Sequence, residues 1–192
     1  MSFDILFETS RLQLRRVEEI DRDLFLRLFC DNEMMHYLGG IWTVEMAEDT
    51  LHEWQSEWAK NNYYYGVMQL KSNDQKVGIA GFTEDTNPDE CGFEFTWFVL
   101  PEFQNQGYAS EITRAFLEYV FEVLKKDRLF AETHPENLAS NRVLQKLGFR
   151  QAGERAHQYD FLPDFNRQVV WEFTRVDWNM HHGVGEKNIT SE

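Results

Sequence analysis

The stretch from Phe93 to Lys126 constrains this chain more than any other. Phe93 to Leu100 is nearly all apolar, which predicts a strand covered on both faces, and Pro101 ends it. Ser110 to Lys126 follows, with Ile112, Ala115, Phe116, Tyr119, Val120, Val123 and Leu124 at the i, i+3, i+4, i+7 spacing of an amphipathic helix. Lys125 and Lys126 suit the negative end of its dipole. Between strand and helix lies the loop Pro101 to Ala109. A tight loop feeding a helix N-terminus points several backbone N–H groups one way, and with the dipole they make an anion site suited to a diphosphate. Gly107 lets the backbone come close to the anion, and Ala109 keeps the first turn small. A lone glycine is also what an ordinary strand–helix connection needs. No G-x-x-x-x-G-K-[ST] is present, and no G-x-G-x-x-G follows a strand.

The flanking sequence alternates short strands and helices. Phe7 to Val17 reads as a first strand and Glu19 to Cys30 as a helix, with Ile20, Leu24, Phe25 and Leu28 on one face. Asp31 to Trp42 reads as an irregular loop closing on Gly39-Gly40. Thr43 to Asn61 predicts a second helix capped by Thr43. Tyr64 to Leu70 and Val77 to Thr83 predict two strands joined by Ser72-Asn73-Asp74, followed by an acidic loop from Asp85 to Glu90. Leu129 to His134 reads as a strand and Asn137 to Leu147 as a short helix stopped by Gly148-Phe149. Phe149 to Gly153 and Gln168 to Val176 are the last strands, with a polar tail from Asn179. The pattern predicts a single α/β domain.

Composition narrows the partners. Against 19 Lys and Arg stand 33 Asp and Glu, a formal net charge of −14, which speaks against nucleic acid and favours cationic partners. An acidic surface also simply keeps a protein in solution. No apolar run is long enough to span a bilayer and the first eight residues hold no leader core, so a cytoplasmic protein without membrane partners is expected. Cys30 and Cys91 lack metal-like spacing and the histidines form no ligand pattern, so no metal is expected.

Gln104-x-x-Gly107-x-Ala109 resembles the Q/R-x-x-G-x-G/A signature of the GNAT superfamily of N-acetyltransferases. Asn137 to Phe149 resembles the superfamily segment N-x-x-S-x-x-x-L-x-K-L-G-F, and Thr9-Ser10-Arg11-Leu12-Gln13-Leu14-Arg15 is similar to the opening strand of the RimJ/RimL-like subgroup. The resemblance runs in order from about residue 8 to residue 178 of one domain spanning 1–192. It implies a central mixed, mostly antiparallel sheet of about seven strands flanked by about four helices. It also implies transfer of acetyl from acetyl-CoA to a primary amine, either a protein N-terminus or a small molecule such as a polyamine. The chain departs from many subgroup members in having Gln104-Asn105 where they carry Trp-Gly, and asparagine tolerates left-handed backbone better than most residues.

The resemblance implies cofactor contacts from Phe98, Val99, Gln104, Asn105, Gln106, Gly107, Tyr108, Ala109 and Ser110, joined by Asn137 and Ser140. Arg114, Arg142 or Lys146 could assist the phosphates. Glu94 aligns with a subgroup glutamate and is the candidate base, with Glu132 second; a solvated strand-end charge is its other reading. Ser140, one turn into the short helix, could reach the thioester sulfur as donor or acid, or is an ordinary first-turn serine; Leu144 stands where many members carry a tyrosine acid. Asn137 serves the pantetheine amide or the acceptor, or is an ordinary N-cap. His36, Tyr37 and Trp42 would border the acceptor groove, although Trp42 equally suits a core and His134 reads as a solvated side chain. The alternatives to an enzyme are a catalytically silent acyl-CoA-binding regulator on the same fold, or a plain interaction module, as monomer or homodimer.

Overall fold

The computed structural model describes residues 4–60, 65–84, 92–156 and 167–182. Among them are eight strands: β1 (Ile5–Glu8), β2 (Leu12–Arg15), β3 (Gly66–Leu70), β4 (Lys76–Glu84), β5 (Phe93–Val99), β6 (Arg128–Thr133), β7 (Arg150–Ala156) and β8 (Arg167–Thr174). They form one sheet in the order β1-β2-β3-β4-β5-β6-β8-β7, antiparallel at every junction but β5–β6. The α-helices are α1 (Arg22–Phe29), α2 (Asn32–Met35), α3 (Val44–Lys60), α4 (Tyr108–Glu118), α5 (Leu138–Lys146) and α6 (Arg175–His181). The mixed, mostly antiparallel sheet and the α/β class agree with expectation, with eight strands in place of about seven and six helices in place of about four.

Each extra element has a local cause. The single strand expected over Phe7 to Val17 is a hairpin, because Thr9 turns the chain: its Oγ1 accepts from the Leu12 amide at 2.9 Å and its own amide donates to the Leu12 carbonyl at 2.8 Å. Both arms share the period-two pattern, so alternation alone does not reveal the break. The irregular segment after Asp31 contains α2, whose N-cap Asp31 accepts from the Met34 amide at 2.9 Å. The last strand stops at Thr174, where a reciprocal capping box with Asp177 starts α6, so Asn179 lies in a helix and not in a loose tail. The long helix expected to Lys126 is α4 followed by a π-helical turn over Tyr119–Val123, with the Leu124 amide bonded to the Tyr119 carbonyl. The acidic loop from Asp85 to Glu90 lies outside the described residues.

Alternation along β5 divides its side chains between two cores, which is why the strand reads as apolar throughout. Phe95 packs beneath α4, with its ring 4.6 Å from Phe116. Phe98 packs on the other face beneath α1, 5.1 Å from Phe29. The buried Phe116 ring meets three rings distant in sequence, Phe7 at 4.9 Å, Phe82 at 5.2 Å and Phe95. Such burial of a phenylalanine is worth about 1.5–3 kcal/mol relative to exposure. At one end of the sheet a polar knot is also buried. Arg15 holds both carboxylate oxygens of Asp21 at 2.7 and 2.8 Å and donates to Gln69 at 2.6 Å, while Lys76 reaches Asp21 at 2.8 Å. No helix among the described residues is long and apolar enough to cross a membrane.

Candidate active site

The sheet is interrupted at its centre. β5 and β6 share two registered pairs, Phe93 with Leu129 and Glu94 with Phe130, and none beyond. Both strands continue, held on their outer sides: β5 pairs with β4 as far as Val99, and β6 with β8 as far as Thr133. Two parallel strands that part in this way leave facing backbone groups without a ladder partner. Such groups are costly to bury alone and welcome an extended ligand that carries amides. Phe98 and Val99 lie on the parted stretch of β5.

At the far end of β5 the loop bends as its composition suggests. Asn105 has φ 58° and Gly107 φ 85°, both left-handed, and α4 begins at Tyr108. Among the described residues no acceptor faces the amides of Asn105, Gln106, Gly107, Tyr108, Ala109 or Ser110. Left-handed residues next to right-handed ones turn successive N–H groups inward as an anion nest, and the helix dipole adds about half a positive charge. Side chains hold the shape: Gln104 Nε2 donates to the Val99 carbonyl at 3.1 Å and Gln106 Nε2 to the Glu102 carbonyl at 2.8 Å. A Cβ built on Gly107 would meet only the Arg11 Nη2, at 3.5 Å, so the space over the turn is open.

A clamp not foreseen from the sequence fastens the hairpin to this loop. Glu111, in the first turn of α4, accepts from Thr9 Oγ1 at 2.5 Å, the Arg11 amide at 2.9 Å, Arg11 Nε at 2.6 Å and Ser10 Oγ at 3.1 Å. Arg11 also donates to the Gln106 carbonyl at 3.0 Å and lies 4.4 Å over the Tyr108 ring. Burial pushes the Glu111 carboxyl up, but the hydrogen bonds from Thr9 and Arg11 outweigh it and hold it below its ordinary value. A carboxylate beside an anion site would repel the anion; here it is ionised and already neutralised by Arg11.

The remaining residues divide between the two sides of the opening. Glu94 is half-buried at its apex, the last residue of β5 still paired with β6. At about 3.3 Å per residue it stands about 17 Å along the strand from Val99 and the loop. Glu132 on β6 is in an ion pair with Arg155 at 2.6 Å. On α5, Asn137 is the N-cap, its Oδ1 accepting from the Ser140 amide at 3.1 Å, and Ser140 is half-buried in the first turn. Leu144 is fully buried in the core. Tyr37, between α2 and α3, stacks on His134 just past the end of β6 with ring centroids 5.3 Å apart and planes at 27°, and His36 meets Tyr37 edge-on at 4.7 Å. His134, expected to be solvated, is therefore half-buried under a ring, and its Nδ1 accepts from the Glu136 amide at 3.2 Å. Trp42 stacks on Phe29 at 4.5 Å and packs against the core beneath α1 and α3.

The acetyltransferase (GNAT) domain model matches residues 11–150. The chain belongs to the GNAT acetyltransferase family. The uncharacterized N-acetyltransferase YnaD of Bacillus subtilis is 32% identical over 146 residues, 76% of this chain and 82% of that protein. The spermidine N(1)-acetyltransferase of Escherichia coli K12 is 32% identical over 90 residues, 47% of this chain and 48% of that protein. A GNAT-family acetyltransferase from Bacillus anthracis has the same fold, with a TM-score of 0.76 at 24% identity, covering 88% of this chain and 98% of that one.

This GNAT protein is thus an acyltransferase that takes acetyl from acetyl-CoA. Its own residues fit that cofactor: an amide nest before α4 offers the donors a diphosphate needs, and the parted edges of β5 and β6 offer a ladder to an amide-bearing arm. Among the described residues no group of three or more His, Cys, Asp or Glu could hold a metal ion. Gly107→Ala tests the nest. A left-handed alanine costs about 1–2 kcal/mol, so coenzyme A affinity should fall about 5- to 30-fold by calorimetry. Unaltered affinity would show that the left-handed turn does not hold the ligand.

Proposed function

We propose that this GNAT acetyltransferase acetylates a small cationic primary amine, with Glu94 as the base. The observation that carries this is the place of Glu94, at the apex where β5 and β6 part. An amine arrives charged, since model values are about 8 for an α-amino group and about 10 for an alkylamine. Glu94 attracts the ammonium and takes its proton, directly or through water. Acetyl-CoA, when bound, supplies the thioester carbonyl that the freed amine attacks. Ser140 Oγ has no hydrogen-bond partner among the described residues, and it passes to the departing sulfur the proton that the acetylated nitrogen sheds, taking one as it gives one and ending as a neutral hydroxyl. Asn137 spends Oδ1 on the helix cap and keeps its Nδ2 hydrogens for an amide carbonyl. Glu132 is the second candidate, on β6 and ion-paired with Arg155.

His36, Tyr37 and Trp42 form the acceptor side in this reading, with the Tyr37–His134 stack as its rim. An aromatic face attracts an ammonium, and the acidic chain steers cations toward it. The Escherichia coli relative, named for spermidine, supports an acceptor of the polyamine kind. The test is acetyl-CoA consumption with spermidine, spermine, simple monoamines and a peptide with a free N-terminus. The polyamines should give the highest kcat/KM. A peptide that outperforms them would move the assignment to protein N-termini, and coenzyme A binding without turnover of any amine would favour a silent regulator.

A further inference from the structure

Acids outnumber bases 33 to 19 in this chain, so a cation has every chance of finding a carboxylate. Nearly all of them do. Among the Lys and Arg side chains that the structure describes, every one but Arg114, Arg142 and Lys146 is ion-paired with an Asp or Glu. These three are not scattered. Arg114 is on α4, and Arg142 and Lys146 are one turn apart on α5 and share a face of that helix.

Arg114 and Lys146 line one open depression of about 490 Å³ with Arg11, Gly107 and Ser110 and with three carboxylates, Glu8, Glu111 and Glu118, of which Glu8 is held by Lys71. The depression thus begins at the amide nest and runs along α4 toward the end of α5. Two carboxylates stand within one turn of Arg114, yet it pairs with neither. Glu111 is taken by Thr9, Ser10 and Arg11, and Glu118 lines the same depression without bonding to it. The clamp on Glu111 therefore has an electrostatic consequence: it removes the carboxylate that would otherwise quench Arg114. What remains beside the diphosphate nest is Arg114 and Lys146 against the single carboxylate Glu118, with Arg142 one turn from Lys146 on α5, a local excess of positive charge on a protein otherwise acidic. Such a patch suits a ligand with a second, separate phosphate.

We infer that Arg114, Arg142 and Lys146 form a second phosphate subsite, which takes the ribose phosphomonoester at the nucleotide end of coenzyme A. This rests on the acetyl-CoA reading of the nest and adds to it a basis for preferring the fully phosphorylated cofactor. The experiment compares coenzyme A with 3′-dephospho-coenzyme A by calorimetry at low ionic strength, on wild type and on the triple variant R114Q/R142Q/K146Q. Wild type should bind coenzyme A about tenfold more tightly, the sum of several exposed charge pairs, and the preference should shrink with added salt. In the triple variant the two ligands should bind alike, with the dephospho form bound as by wild type, which also shows that the variant is folded. If the triple variant fails to bind either ligand, R114Q and K146Q singly must each reduce the preference. A wild type with no preference, a preference that survives the substitutions, or an equal loss for both ligands overturns the subsite. A wild type that binds neither ligand overturns the cofactor reading itself, which is a different failure.

Discussion

Asp21→Asn should lower the stability of the fold by about 3–5 kcal/mol, the usual cost of breaking a buried ion pair from one side. Arg15 and Asp21 are both fully shielded from solvent, and the pair is bidentate. Asp21 also takes the Lys76 ammonium and the Glu18 amide, so one carboxylate neutralises two cations and fixes a turn. Asparagine keeps the shape but leaves the buried Arg15 uncompensated. At about 2–4 °C per kcal/mol for a chain of this length, the melting temperature should drop by about 6–20 °C. Arg22→Gln, which breaks an exposed pair with Glu48, should cost under about 1 kcal/mol and serves as the comparison.

The same knot sets an acid limit. Burial pushes the Asp21 carboxyl up, but hydrogen bonds from Arg15 and Lys76 win and leave it below its ordinary value. A group whose folded value is depressed contributes stability above its unfolded value, about 3.9 for aspartate, and loses it as pH falls through the folded one. Wild type should therefore lose this stability only in acid well below neutrality. Asp21→Asn should lack that part of the acid dependence and be weaker at neutral pH. Denaturant titrations at several pH values read both; a variant as stable as wild type at neutral pH would show the knot to be energetically idle.

Glu94→Gln should reduce kcat by about 10²–10³, within the span that a positioned general base contributes. Coenzyme A affinity should be unchanged, because the diphosphate nest is at the other end of β5. Fold loss is not expected either: Glu94 keeps its backbone pairs with Thr83 and Phe130 whatever its side chain. The discriminating readout is the pH profile. If Glu94 accepts the proton, the residual activity of the variant should rise with pH as the free amine supplies itself already deprotonated. An unchanged kcat, or a loss that tracks weakened coenzyme A binding, would remove Glu94 from the role of base. Ser140→Ala provides a second probe of the same step, acting on the leaving sulfur.

Much of this architecture was legible in the chain because it depends on neighbours in sequence. The apolar run of β5, the period of α4, the Thr43 and Asn137 caps and the Gly148 stop are all local, and the structure shows each of them. Asn105 was legible too, as a residue tolerant of left-handed backbone, and its φ is 58°. The capping box of Thr174 and Asp177 has a readable signature, T-x-x-D, and Asp31 is a residue suited to cap α2, but both stand beside apolar patterns that mask them.

The site itself was only partly written there. Residues of the loop could be named because the loop is contiguous. The Glu111 clamp joins positions about a hundred residues apart, Tyr37 stacks on His134 from a distant segment, and Arg155 occupies Glu132 from a different strand. No spacing rule reaches such pairs. The sequence by itself determined which segments are strand, turn or helix and where the amide nest would form, because backbone torsions and caps are decided within a few residues. Tertiary structure alone decided that β5 and β6 part after Glu94, which carboxylates are consumed by cations, and which cations are left over, because charges and strand edges are matched only once distant segments pack.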